Sequence, residues 1–292
     1  MKRFTLLFTL TVACMGLFAQ SNWGPQSKVE MKTIHSKVLD AEREYTIFLP
    51  ISYEQEPDRA YPILYLLHGM TDTNKGWYDR GHVKDVMDVL VASGEAVEMI
   101  VVTPNAGGNI YEGVWNGYFN MPGWAYETFF FTEFMPYIES TYRVIGNKEN
   151  RAVAGLSMGG GGATVYGQKY PEKFSSVYAM SALMSIPEPD EEQPHEPGDK
   201  MVLLMKSVRE NCAVQFVKDA DEERVNALRS VNWFVDCGDD DFLLDRNIEF
   251  NQAMREKRIK HEFRVRDGGH TWEYWHSALY TCLSYVSRGF GK

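Results

Sequence analysis

Length, composition and charge describe a chain that can fold around a sizeable core. Its 292 residues are 44% hydrophobic and 24% charged, which is typical of a globular protein. The formal net charge of −10 argues against a nucleic-acid partner, because phosphate binding requires a basic face. We therefore expect no nucleic acid among its partners.

The first residues are typical of an export signal. Met1-Lys2-Arg3 is short and basic, residues 4–18 form an almost uncharged apolar run, and polar residues follow Ala19. This pattern predicts a signal peptide over residues 1–19 and a secreted or periplasmic location. Cys14 lies in a sequence that only loosely matches a lipoprotein signal, so lipid anchoring is the less favoured alternative. No later stretch is long and apolar enough for a membrane span, so we expect no stable membrane insertion.

Three cysteines remain in the predicted mature chain, namely Cys212, Cys237 and Cys282. An odd and widely spaced set is not a disulfide framework, although one bridge could form in an oxidising compartment. Buried thiols that pack as small hydrophobic groups are the favoured interpretation. Neither a CxxC pair nor an HExxH motif occurs, so we predict no metal site, and no motif indicates a cofactor.

Strand-like and helix-like segments alternate along the chain, which predicts an α/β fold with a mainly parallel sheet covered on both faces. Hydrophobic periodicity predicts an outer strand at residues 44–49 and a central strand at residues 62–67. Further strands are predicted at residues 97–103, 151–155, 175–180, 232–237 and 262–266. Helices are predicted at residues 82–92, 126–142, 158 to about 169, within 201–229, from about 246, and from about 272 to the end.

A single domain is predicted for residues 20–292, because no internal repeat divides the chain. Residues 105–125 are rich in Gly, Asn and aromatic residues, which predicts an irregular loop. Residues 187–200 are acidic and contain several prolines, which predicts an exposed insertion without regular structure.

The segment Gly155-Leu-Ser-Met-Gly159 matches the nucleophile-elbow motif G-x-S-x-G. In that motif the serine lies at a strained strand-to-helix turn, and the glycines avoid collisions with the tight backbone. An apolar strand and a small-residue helix flank the motif here, as it requires. Ser157 is therefore the predicted nucleophile, and it needs a base because a serine hydroxyl is a poor nucleophile until its proton is removed.

In this fold the nucleophile is followed along the chain by the acid and then by the histidine. Four histidines follow Ser157. His195 lies in the acidic insertion, His261 at the start of the last strand, and His276 inside the terminal helix. His270 follows a glycine-rich turn just past the carboxyl end of the last strand, where the active site of an open α/β sheet lies. His270 is therefore the predicted base.

The acid is expected in the loop after the preceding strand. Asp239, Asp240 and Asp241 are adjacent candidates there, and Asp236 and Asp245 lie nearby. The chosen carboxylate would accept the proton on the far ring nitrogen of the histidine and stabilise the imidazolium. Sequence spacing does not choose among these residues.

Two backbone N–H groups are expected to bind the oxyanion of the tetrahedral intermediate. One belongs to the residue after the nucleophile, Met158, and the other to the loop His68-Gly69-Met70, where Met70 is the predicted donor. His68 precedes Ser157, so we interpret it as a brace for this loop and not as the base.

Four segments that occur in this order carry a family resemblance: Tyr65-Leu-Leu-His-Gly-Met70, Gly155-Leu-Ser-Met-Gly-Gly160, Cys237-Gly-Asp-Asp-Asp241 and Gly269-His-Thr-Trp272. Together they resemble the esterase D-like family, also called carbohydrate esterase family one, over about residues 44–285. That family includes feruloyl, acetyl-xylan and tributyrin esterases, formylglutathione hydrolases and mycolyltransferases. The resemblance implies an α/β-hydrolase fold and a lightly capped site. It also implies Asp241 as the acid, with Asp240 in reserve.

Resemblance and export signal together predict a secreted esterase that releases ferulate or acetate from acylated plant polysaccharide. Aromatic side chains can stack on a cinnamoyl ring or a sugar face. The aromatic residues near the predicted site are Trp77, Trp115, Tyr118, Trp124, Trp272 and Trp275. Among them, Trp77, Trp115 and Trp272 are the predicted substrate-binding residues. The insertion at 187–200 is expected to border the site, which leaves the shape of the acyl pocket open.

Four other functions fit parts of this pattern. A general short-chain carboxylesterase of the tributyrin type is the nearest alternative, and an acyltransferase would use the same acyl-enzyme. Formylglutathione hydrolysis is disfavoured, because that activity belongs in the cytosol. A binding module without catalysis is disfavoured by the complete set of triad residues.

Overall fold

The computed structural model describes residues 26–108, 110–187 and 198–291. The predicted signal peptide, Cys14, His195 and most of the acidic insertion therefore lie outside the described residues. Within these ranges, no helix combines the length and the apolar character that a membrane crossing needs.

An eight-stranded sheet forms the centre of the described chain, in the strand order β1-β2-β4-β3-β7-β8-β9-β10. Its strands are β1 (Lys28–Ser36), β2 (Ala41–Leu49), β3 (Ile63–Leu67), β4 (Ile100–Pro104), β7 (Arg151–Leu156), β8 (Ser176–Met180), β9 (Asn232–Gly238) and β10 (Glu262–Arg266). β2 pairs antiparallel with both of its neighbours, and the remaining pairs are parallel. A short hairpin of β5 (Asn120–Met121) and β6 (Trp124–Ala125) lies outside this sheet.

Helices cover both faces of the sheet. They are α1 (Gly76–Asp79), α2 (Val83–Ser93), α3 (Tyr126–Phe129), α4 (Met135–Thr141), α5 (Met158–Lys169), α6 (Lys200–Glu210), α7 (Ala213–Lys218), α8 (Glu222–Arg229), α9 (Leu244–Glu256) and α10 (Trp272–Gly289). A π-helical turn, Phe130–Phe134, joins α3 to α4.

The central strands are buried on both faces, which explains their uninterrupted apolar sequences. In β3, Ile63, Tyr65 and Leu67 pack into one hydrophobic cluster, which includes residues of α3 to α9. Leu64 and Leu66 point to the opposite face, where residues of α1, α2 and α10 form a second cluster. Because side chains alternate between the two faces of a strand, one apolar segment contributes to both hydrophobic clusters.

The predicted α/β-hydrolase architecture is confirmed, and the predicted strands are all present. Sequence patterning missed β1, an edge strand in which Val29 and Met31 alternate with charged residues but stay exposed. The segment 105–125, predicted to be irregular, contains the β5–β6 hairpin and a 3-10 turn at Ile110–Glu112. The helix predicted over 126–142 is present but contains the π-helical turn.

Parallel strands place their carboxyl ends at one edge of a sheet. β3, β7, β8, β9 and β10 run in the same direction, so the segments that follow them leave from this edge. Those segments carry the candidate nucleophile, acid, base and oxyanion loop.

Candidate active site

Ser157 lies between β7 and α5 with φ 53° and ψ −122°, a backbone conformation that non-glycine residues rarely adopt. A Cβ atom at Gly155 would lie 2.3 Å from the carbonyl oxygen of Gly159, and one at Gly159 would lie 2.5 Å from the carbonyl oxygen of His68. Both obstacles are backbone atoms that cannot rotate away. The turn therefore requires both glycines of the G-x-S-x-G motif.

Ser157, His270 and Asp241 form a continuous line of hydrogen bonds. His270 Nε2 lies 3.0 Å from Ser157 Oγ. On the other side of the ring, His270 Nδ1 lies 3.0 and 2.9 Å from the two carboxylate oxygens of Asp241. Because an ionised carboxylate only accepts hydrogen bonds, Nδ1 carries the ring proton and Nε2 is left to accept the Ser157 hydroxyl proton.

The carboxylate of Asp241 is buried and held in its ionised form. Burial by itself raises the pKa of Asp241, but hydrogen bonds from His270, Ser181 and the Leu243 N–H outweigh it and lower the pKa below its usual value. The Leu243 N–H donates to Asp241 Oδ1 at 2.9 Å. Asp241 is thus a permanent acceptor for the ring proton of His270.

The remaining acid candidates have other environments. Asp239 Oδ1 accepts the Gly268 N–H at 3.0 Å, and the exposed Asp240 contacts the Gly268 carbonyl through its backbone. Asp245 is exposed in the first turn of α9. Asp236 is buried, but tyrosine and arginine side chains bind it. Of the five candidates, the structure brings Asp241 to His270.

The ring of His270 is held between two aromatic side chains. Trp275 meets it edge-on at 4.8 Å between centroids, and the largely exposed Phe242 lies at 4.5 Å. Among the other described histidines, His261 binds the Ile259 carbonyl and Asn251, and His276 binds the Gly81 carbonyl. Neither contacts Ser157.

The loop after β3 passes directly beside the nucleophile. A Cβ atom at Gly69 would lie 3.5 Å from the Cβ of Ser157. Met70 follows Gly69, and Met158 is the first residue of α5, where a backbone N–H has no acceptor within its own helix. Met70 and Met158 both line the cavity at Ser157. Both residues thus lie at the cavity beside Ser157, and their assignment as oxyanion donors stays a prediction.

His68 braces this loop from within the core, as expected. Its Nε2 accepts the Ala106 N–H at 3.0 Å, so Nδ1 carries the proton and donates to the Gly69 carbonyl at 2.8 Å. The Tyr118 hydroxyl donates to the His68 carbonyl at 2.9 Å. Complete burial lowers the pKa of His68, which keeps the ring neutral.

A cavity of about 380 Å³ opens beside Ser157. Most of its wall is apolar, and its polar side chains besides Ser157 are Ser185 and Arg246. The apolar lining consists of Met70, Met158, Leu183, Ile186, Pro187, Met205, Phe242 and Leu243. Ser185 Oγ is buried without a hydrogen-bond partner, and Arg246 Nη1 contacts Glu249 at 3.1 Å.

The tryptophans predicted to bind substrate do not line this cavity. The prediction is wrong for Trp77, because its side chain is fully buried and its Nε1 donates to the Leu67 carbonyl at 3.0 Å. Trp272 packs edge-on against Trp77 and Trp275, and the Arg80 guanidinium covers its ring. Trp115 is half-buried against the core.

Sequence reasoning named Met70 and Met158 and expected the insertion that begins at Pro187 to border the site, and all three residues line the cavity. It missed the rest of the wall, which comes from the segment after β8, from α6, and from the turn before α9 and its first residues, and no short motif connects these segments. Phe242 had the clearest signal, since it is an apolar residue directly after the candidate acid in a polar turn.

Cys212, Cys237 and Cys282 are free thiols, and the last two are buried. Burial raises the pKa of Cys237 to about 12 and that of Cys282 well above its usual value, so neither thiol is a nucleophile at neutral pH. Within the described ranges, no group of three or more His, Cys, Asp or Glu side chains could hold a metal ion.

Comparisons with known proteins agree with this geometry. The Esterase family model matches residues 36–285. A solved structure of a ferulic acid esterase is 65% identical, with a TM-score of 0.88, over 92% of this chain and 100% of that one. An endo-1,4-beta-xylanase/feruloyl esterase of Xylanibacter ruminicola is 28% identical over 163 residues, which are 55% of this chain and 22% of that protein.

An esterase of Mycobacterium tuberculosis is 33% identical over 142 residues, 48% of this chain and 29% of that protein. The chain thus matches less than a third of the length of this curated relative. The family match, in contrast, extends from β1 to α10 and includes Ser157, Asp241 and His270. The chain belongs to the Esterase family.

Proposed function

We propose that this chain is a serine esterase that cleaves hydroxycinnamoyl esters, such as feruloyl esters, through an acyl-enzyme on Ser157. The hydrogen-bonded line from Ser157 through His270 to Asp241, beside an apolar cavity, is the observation that carries this proposal. The 65% identity to a ferulic acid esterase supports the choice of acyl group.

In acylation, His270 Nε2 takes the hydroxyl proton of Ser157 while Oγ attacks the ester carbonyl carbon. The negative charge moves to the carbonyl oxygen, where the N–H groups of Met70 and Met158 stabilise it. One such donor is generally worth about 3 kcal/mol in the transition state. Asp241 stabilises the imidazolium, which then donates its proton to the departing alcohol.

In deacylation, a water molecule takes the place of the alcohol. His270 removes a proton from this water as it attacks the acyl carbon, and a second tetrahedral intermediate forms in the same oxyanion site. Its collapse breaks the bond to Ser157 Oγ, and the proton on His270 returns to the serine. The products are the free acid and the unmodified enzyme.

The cavity favours a large, mainly apolar acyl group. Its volume of about 380 Å³ lies within the usual range of small-molecule sites, and an acetyl group would leave most of it empty. Apolar walls suit a cinnamoyl ring, and Ser185 and Arg246 can donate hydrogen bonds to oxygen substituents on that ring.

We further propose that the enzyme is exported and acts on acylated plant polysaccharide. The basic start and apolar run of residues 1–19 support export. The relative from Xylanibacter ruminicola combines a xylanase with a feruloyl esterase, which supports acylated plant polysaccharide as the substrate.

A panel of esters tests the acyl group. We expect kcat/KM to be higher for methyl ferulate and methyl p-coumarate than for tributyrin or acetylated xylan. A preference for tributyrin or acetylated xylan would contradict the hydroxycinnamoyl assignment but would leave the proposed roles of the catalytic residues unaffected. Product analysis with an added acceptor alcohol separates hydrolysis from acyl transfer, and we expect the free acid to dominate.

A further inference from the structure

A buried carboxylate connects the elements around the His270 loop, defined here as residues 267–271 between β10 and α10. Asp236, on β9, is completely buried. Its Oδ2 accepts the hydroxyl of Tyr178 on β8 at 2.8 Å and a hydrogen bond from Arg264 on β10. Its Oδ1 accepts the hydroxyl of Tyr274 on α10 at 2.5 Å. None of these groups takes part in the proposed chemical steps.

Both ends of the His270 loop attach to this carboxylate. Arg266, the last residue of β10, places Nε 3.7 Å from Asp236 Oδ1 and donates through Nη2 to the Tyr274 carbonyl at 2.8 Å. Its guanidinium carbon lies 3.6 Å from the centroid of the Tyr274 ring. Tyr274, in the first turn of α10, therefore receives contacts from the other end of the loop as well as from Asp236.

The loop also packs tightly against Tyr274. Gly268 has φ +134°, and a Cβ atom there would lie 2.6 Å from Tyr274 Cδ2. Gly238, at the end of β9, would place a Cβ atom 2.0 Å from the Gly268 carbonyl oxygen. The Tyr274 ring and the end of β9 thus leave the loop little freedom near His270.

A buried charge contributes little net stability, because the cost of its desolvation offsets much of the attraction between the ions. Such a group can instead specify one arrangement of the elements that bind it. Burial and the hydrogen bond to Asp236 raise the pKa of Tyr274 far above its usual value, so its hydroxyl stays a donor.

We propose that Tyr274 is a positioning residue for the esterase reaction: its hydrogen bond to Asp236 sets the position of His270 relative to Ser157 and Asp241. This inference rests on the proposed function of His270 as the base. Asp236 lies on β9 and Asp241 in the turn that follows this strand. A contact from Tyr274 to Asp236 therefore fixes the position of His270 relative to Asp241.

Two tyrosine variants test this role with a matched control. Tyr274→Phe and Tyr178→Phe each remove one hydroxyl from the same buried carboxylate and leave the ring in place. Tyr178 lies on β8, where it stacks on Phe234 at 4.5 Å. A purely structural role predicts equal effects of the two changes on thermal stability and on rate.

We expect the two variants to lose similar thermal stability. Small errors in the placement of a catalytic group are costly, so kcat for methyl ferulate should fall about tenfold or more in Tyr274→Phe alone, with KM within about twofold of the wild type. Equal kcat values in the two folded variants would overturn the proposal.

A second pair applies if Tyr274→Phe does not fold. Arg266→Lys removes the guanidinium that donates to the Tyr274 carbonyl. Arg264→Lys removes a guanidinium that binds Asp236 and Thr281 instead. We expect a lower kcat in Arg266→Lys than in Arg264→Lys, and equal values would overturn the positioning role. Ser157→Ala is measured beside these variants, and if it retained activity the proposed function itself would fail. If Ser157→Ala is inactive but the two arginine variants have equal kcat values, only the positioning role is contradicted.

Discussion

The Nε2 atom of His270 lies 3.0 Å from the Oγ atom of Ser157, although 113 positions separate the two residues in the sequence. The sheet explains this proximity, because Ser157 follows β7 and His270 follows β10, and the two strands run in the same direction. Their carboxyl ends meet at one edge, where α/β proteins place their sites. The hydrogen bond between these two side chains therefore depends on the strand order.

Replacement of the acid should reduce the rate without unfolding the protein. Asp241→Asn keeps the shape of the side chain but presents an amide that can favour the wrong tautomer of His270, and we expect kcat to fall by about 10⁴-fold, as in a comparable serine enzyme. Asp240→Asn is the matched control, since Asp240 is the exposed neighbour, and its kcat should stay near the wild-type value. Comparable losses in both variants would contradict the assignment of the acid.

The pH profile should have an acid limb that comes from an imidazole. A protonated His270 cannot take the proton of Ser157, so kcat/KM should fall as the pH is lowered. The pKa of Asp241 is lowered, so this carboxylate stays ionised at mildly acidic pH and adds no second step there. A profile that is flat between about pH 5 and 8 would be incompatible with a histidine base.

A methyl group at Gly159 should destabilise the fold. The added Cβ would lie 2.5 Å from the His68 carbonyl oxygen and 2.6 Å from that of Leu67, so β3 and α5 would have to separate. We expect Gly159→Ala to lower the free energy of unfolding by about 1–3 kcal/mol, the usual cost of overpacking. Gly269→Ala is the control for stability, because its Cβ would meet nothing closer than 3.7 Å. Urea unfolding measures the stability of both variants, and equal midpoints would contradict the close backbone packing around Gly159.

Arg246 should discriminate among aromatic acyl groups. If its guanidinium binds an oxygen on the ring, Arg246→Met should lower kcat/KM for methyl p-coumarate by about tenfold or more, the usual value of a hydrogen bond to a charged group. Methyl cinnamate lacks that oxygen and should lose little. Arg255→Met changes an exposed arginine on the same helix and should affect neither ester. An equal loss on both esters in Arg246→Met would exclude recognition of the ring substituent.

Local patterns predicted the parts of this protein that depend on local physics. The strand β7, the elbow at Ser157 and the helix α5 follow from one apolar segment, two glycines and a run of small residues. The position of His270 after the last strand then followed from chain order in the fold. The acid was open among neighbouring aspartates until family resemblance selected Asp241, because their distinct environments arise only when the turns after β9 and β10 meet.

Long-range packing decided the features that the sequence did not reveal. Trp77 was predicted to bind substrate, but it lies in the core, since burial of an aromatic ring depends on elements far away in the chain. The acyl cavity combines Leu183, Met205 and Arg246 from separate segments, so no periodicity connects them. β1 was missed because this edge strand buries no apolar face: Val29 and Met31 alternate with charged residues but stay exposed.

Hydrolysis of methyl ferulate by Ser157→Ala is the most direct test of catalysis by Ser157. The variant removes the nucleophilic oxygen and leaves the cavity and the oxyanion donors in place. We predict that the folded variant, verified by circular dichroism, loses about 10⁴-fold or more in kcat. A folded Ser157→Ala protein with a rate close to that of the wild type would contradict an acyl-enzyme on Ser157.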